Sequence, residues 1–84
     1  MEIKLTISEY SNEGLELKWE PGFEIKTGIN NDQLIISANK AGLISLAKQM
    51  LTLAQDMFPV GYHMHFDEYN SLEEGSIELI IEKK

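Results

Sequence analysis

The sequence contains no cysteine and no arginine. The first absence excludes disulfides, thiolate metal sites and a cysteine nucleophile. In a chain of 84 residues it also fits a reducing compartment, so a cytoplasmic location is expected. The second absence removes the side chain best suited to bidentate phosphate and base-edge contacts. All seven basic residues are lysine, set against fourteen acids, and the net charge is −7. Such a surface repels a phosphate backbone, so neither nucleic acid nor an anionic membrane is expected as a partner. It would steer a basic protein partner, and it would equally keep a small domain soluble.

Long apolar runs are missing too. None approaches the ~20 residues that span a bilayer. The run Met1-Glu2-Ile3-Lys4-Leu5-Thr6 alternates polar and apolar residues, so no secretory signal is expected there. The sequence has no Gly-x-Ser-x-Gly, phosphate loop, dinucleotide fingerprint or Cys/His pair. A domain this small leaves little room for a deep cleft. The expectation is a non-enzymatic protein without a cofactor.

What is present is clear patterning. A hydrophobic content of 43% and a charged content of 25% mark an ordinary globular chain, read as one domain over residues 1–84. Period-two alternation places Ile3, Leu5 and Ile7 on one face of a strand spanning residues 2–8. A turn at 11–14 leads to a second strand, with Leu15, Leu17 and Trp19 facing the core. Pro21-Gly22 breaks it, and a third strand carries Phe23, Ile25 and Thr27. Gly28 to Asp32 reads as a turn. Gln33 to Ala38 forms a fourth strand, expected to be covered on more than one side because Leu34, Ile35 and Ile36 are consecutive.

Asn39 is placed to cap a helix running from Lys40 to Phe58, which Pro59 ends. Leu43, Ile44, Leu46, Ala47, Met50, Leu51, Leu53, Ala54, Met57 and Phe58 fall on one half of the helical wheel. Ser45, Lys48, Gln49, Thr52, Gln55 and Asp56 fall on the other, which is expected to face solvent. A fifth strand follows Gly61, and a sixth spans 76–83. The fold class expected is α+β, in the order ββββαββ. About six antiparallel strands form a sheet, and one long amphipathic helix packs on one face.

The sharpest local feature is His63-x-His65-x-Asp67, three polar side chains on one strand face. Pairing Asp67 with Ser76 would set His65 opposite Glu78 and His63 opposite Ile80. Two imidazoles and a carboxylate are zinc-ligand types, which makes a small metal- or ligand-binding module the alternative reading. Plain histidine–carboxylate hydrogen bonds on a solvated sheet explain the same residues. A third reading is a protein interface. His63, His65, Asp67, Glu68, Tyr69, Glu73 and Glu74 gather imidazole, aromatic and acidic groups around one hairpin, although acids, Asn70 and Gly75 also suit a simple turn.

Three segments together resemble the bacterial immunity protein family 32. They are Asn39-Lys40-x-Gly42-Leu43 with its following helix, Gly61-x-His63-x-His65-x-Asp67-Glu68-Tyr69-Asn70-Ser71-Leu72, and Gly75-Ser76-x-Glu78-Leu79. The resemblance covers roughly residues 34 to 83. It implies a small α+β protein, encoded beside a polymorphic toxin, that neutralises the toxin by binding it. A cognate toxin domain is then the expected partner. Pairing between copies through an open sheet edge is a further possibility.

Overall fold

The computed structural model describes residues 18–84, together with Glu2 and Lys4. The strand expected at 2–8 and residues 15–17 of the second otherwise lie outside the described residues. The element order is β1 (Ile25–Asn30), β2 (Gln33–Ala38), α1 (Lys40–Leu53), β3 (His63–Phe66) and β4 (Leu79–Glu82). The protein is α+β, as expected. The single sheet of about six strands is not observed: the described strands form two antiparallel pairs, β1–β2 and β3–β4.

The β1–β2 turn is shorter than its sequence suggests. Gly28 to Asn30 belong to β1, and only Asn31 and Asp32 form the loop. Both have positive φ, 51° and 62°. A two-residue hairpin loop with two left-handed residues matches strand twist best, and Asn and Asp tolerate that conformation.

The segment before β4 joins the two pairs. The Glu73 N–H donates to the Ile25 carbonyl, and Ile77 N–H donates to that of Thr27. The Thr27 N–H donates to Ser76 Oγ, and the Thr27 hydroxyl donates to the Ile77 carbonyl. The inner edge of β1 is therefore occupied although residues 73–77 form no regular strand. The outer edge of β2 has no partner strand among the described residues.

Asn39 ties hairpin to helix. Its Oδ1 accepts the Gly42 N–H at 2.8 Å and the Glu24 N–H at 3.0 Å, while Nδ2 donates to the Gly22 carbonyl. The expected cap is present and reaches well beyond the helix. Gly42 then sets how closely α1 approaches β1. A Cβ there would lie 2.4 Å from the Glu24 carbonyl oxygen and 2.9 Å from Ile25 Cγ1.

The helix does not present the face its pattern suggests. Leu46 and Leu53 are buried as expected, but so are Ser45, Gln49 and Thr52. Leu43, Met50, Leu51 and Met57 are about half exposed. The cause is hydrogen bonding, chiefly to backbone groups far away in the sequence. Ser45 Oγ accepts the Glu20 N–H at 2.8 Å, and Gln49 Nε2 donates to the Lys18 carbonyl at 2.8 Å. Thr52 Oγ1 donates to the Lys48 carbonyl within the helix. Lys18 to Glu20 belong to no strand, so helix side chains satisfy backbone groups that a ladder would otherwise pair.

The helix also stops earlier than Pro59 alone would require, at Leu53. At about 100° per residue, an unbroken helix would carry Phe58 to the side away from Leu46 and Leu53. The turns after Ala54 bring Phe58 inward instead. It is buried, with its ring centroid 5.0 Å from that of Tyr62. The core gathers Ile25, Leu46, Leu53, Phe58, Met64, Phe66, Leu72 and Leu79. Trp19 lines it, as its pattern suggests, stacked on Phe23 at 4.8 Å and edge-on to Phe66 at 5.8 Å. The fourth expected strand, β2, departs most from expectation. Leu34, Ile35 and Ile36 are 59%, 40% and 38% exposed, so it is not covered on two sides.

Candidate functional site

Strand β3 has the alternation its sequence shows. Met64 and Phe66 are buried, and His63 and His65 face solvent. Pairing with β4 differs from the expected register by two residues: His63 lies opposite Glu82, and His65 opposite Ile80. A shift of two preserves which face each side chain takes. Glu78 therefore remains on the histidine side and reaches His65 diagonally. His65 Nδ1 donates to Glu78 Oε1 at 2.7 Å, with both side chains about half exposed. His63 Nδ1 donates to the Gly61 carbonyl at 3.1 Å. The two imidazole rings meet at 4.7 Å and 67°.

Asp67 does not complete a triad with them. Its Oδ1 accepts the Tyr69 N–H at 2.9 Å, which turns the chain into the loop. Among the described residues no group of three or more His, Asp or Glu side chains is arranged to hold a metal ion. The metal-module alternative is not favoured.

The β3–β4 connection is densely hydrogen bonded at its start. Asn70 Oδ1 accepts the Asp67 N–H at 3.0 Å, and Asn70 Nδ2 donates to the His65 carbonyl at 2.9 Å. The Ser71 hydroxyl donates to Asn70 Oδ1 at 2.6 Å. The Asp67 carbonyl accepts from the N–H groups of Ser71 and Leu72. Buried Phe66 and Leu72 anchor the two ends of this turn. Between them Tyr69 is 97% exposed. Glu68, Glu73 and Glu74 are also exposed. In the sequence Asn70 reads as a turn residue, and Asn70 and Leu72 both belong to the family-like segment. Their roles as fastener and anchor depend on the chain reversal.

Among the described residues, the expected site residues do not border the hollow that the structure shows. That hollow, of ≈ 180 Å³, lies on the β1–β2 hairpin, bordered by residues such as Lys26, Gly28, Ile35 and Ser37. His63, His65 and Tyr69 are all exposed, which leaves their side chains free for contact with another surface.

The family model for immunity protein 32 matches residues 33–84, which span β2, α1, β3 and β4. The chain belongs to the immunity protein 32 family. Membership implies a protein partner, a toxin, in general terms. The match includes the whole β3–β4 hairpin and begins after β1. No curated protein and no solved structure matches the chain significantly. Among the described residues no helix is long and apolar enough to cross a membrane.

Proposed function

We propose that the chain binds and neutralises a cognate bacterial toxin domain in the cytoplasm of the producing cell, acting by surface contact and not by catalysis. The observation that carries this reading is the immunity protein 32 match over residues 33–84. The contact surface we assign is the outward face of β3 with the β3–β4 connection: His63, His65, Asp67, Glu68, Tyr69, Glu73 and Glu74.

Tyr69 supports that choice of surface. A tyrosine ring exposed to 97% contributes little to folding. It is nevertheless carried on a turn with a hydrogen bond at almost every residue. An aromatic ring on a preordered loop offers a large contact area at a low ordering cost, which is how interface anchors work. The neighbouring carboxylates favour a toxin surface that is basic where it meets this loop, speeding encounter more than they tighten the complex.

Co-expression tests the function. Cells producing the toxin domain encoded in the neighbouring reading frame should survive when this chain is present and die when it is absent. Failure of the wild-type chain to rescue cells, or to form a complex with that toxin, would refute the reading for that pair.

A further inference from the structure

Among the described residues no strand pairs with the outer edge of β2. Natural edge strands are blunted by lysine, proline, inward charge or a bulge. Gln33-Leu34-Ile35-Ile36-Ser37-Ala38 has no charged residue and no proline, and its pairing with β1 runs without a bulge through six residues. Leu34 and Ile36 project on the same side as Ile25 and Thr27, and both are substantially exposed. In a chain of net charge −7, this is an uncharged strip on an otherwise repulsive surface.

We propose that β2 pairs antiparallel with β2 of a second copy, giving a symmetric dimer. The two-fold axis would pass midway between Ile36 and its counterpart in the second copy, normal to the sheet. That axis keeps like faces together, as antiparallel pairing requires. Ile36 then opposes Ile36 of the second copy, Leu34 opposes Ala38, and Ile35 opposes Ser37. The apolar row of each copy continues into the other.

Charge at the two ends of the strand selects this partner. Asp32 precedes β2 in its turn, and Lys40 follows it as the first residue of α1. Both are exposed, and neither makes an ion pair among the described residues. Antiparallel pairing about Ile36 brings each Asp32 to the end of strand where the other copy has Lys40. The two contacts are related by symmetry, so the pairing complements itself in shape and in sign. The proposal is independent of the toxin reading, because β2 and the Tyr69 loop are different surfaces.

Sedimentation equilibrium of the full-length chain at low ionic strength is the test. The expected result is a mass twice that of the chain at micromolar concentration and above. Ile36→Lys sets two like charges opposite each other and should give a monomer with unchanged circular dichroism. Lys40→Asp should weaken the dimer about tenfold, since it turns two attractions into repulsions. Adding Asp32→Lys to Lys40→Asp should restore it. A wild-type monomer up to submillimolar concentration would overturn the proposal, and is the outcome expected if the edge is covered from within the chain or reserved for the toxin. So would a dimer indifferent to Ile36→Lys and to the charge exchange.

Discussion

The Asp67 carboxylate accepts the backbone N–H of Tyr69 at 2.9 Å, so the carboxylate of the His-x-His-x-Asp pattern holds the loop. Asn70 completes the arrangement from the other side, and the ring of Tyr69 is left in water.

This division of labour separates two substitutions. Tyr69→Ala should leave stability unchanged within ~0.5 kcal/mol, because an exposed ring makes little contribution to the fold. Asp67→Ala should cost about 1 kcal/mol through the lost hydrogen bond. It should also weaken toxin binding, because the loop must then be ordered in the complex. Urea denaturation and calorimetric titration of both variants measure the two effects.

The buried polar side of α1 gives a second test. Gln49→Leu places an apolar residue where the wheel pattern would have predicted solvent. It should destabilise the protein by roughly 1–3 kcal/mol, because the Lys18 carbonyl loses its donor. Were Gln49 on an outer face, the same change would be close to neutral in a urea melt.

Gly42→Ala should act against ordinary helix preference. In an exposed helix interior the change stabilises by about 1 kcal/mol. Here the new methyl group meets the Glu24 carbonyl oxygen at 2.4 Å, and backbone cannot step aside as a flexible side chain would. A net loss of about 1–3 kcal/mol is expected, read as a lower midpoint in chemical denaturation.

Zinc titration by calorimetry should show no saturable heat at micromolar metal. Two imidazoles without a third convergent ligand make an incomplete site. Tight one-to-one binding would mean that Asp67 leaves Tyr69 and turns back toward the histidines.

The sequence carried much of this structure at the level of alternation. Period two in His63 to Phe66 assigned inside and outside correctly, and it survived a register displaced by two residues, since such a shift changes opposite neighbours but not faces. Asn39 was legible as a cap because capping is local. The helix face was not legible. Hydropathy ranks Ser45, Gln49 and Thr52 as solvent residues and cannot register that Lys18 and Glu20 offer backbone groups to Gln49 and Ser45 from some thirty positions away. Sheet organisation was hidden for a similar reason. Residues 73–77 pair with β1 through isolated bonds and a serine side chain, so Ser76 and Ile77, expected within the sixth strand, precede β4 instead. The site residues could be gathered on one hairpin from sequence, but the separation of Asp67 from the two histidines depends on a turn only three-dimensional structure reveals.

The most direct measurement is calorimetric titration of the toxin domain from the neighbouring reading frame with the wild-type chain and with Tyr69→Ala. The account predicts a tight complex for the wild type and an affinity lower by roughly thirtyfold or more for the variant, the loss of an anchor worth about 2 kcal/mol. Equal affinities would contradict the assigned surface, and no complex with either would contradict the neutralising role itself.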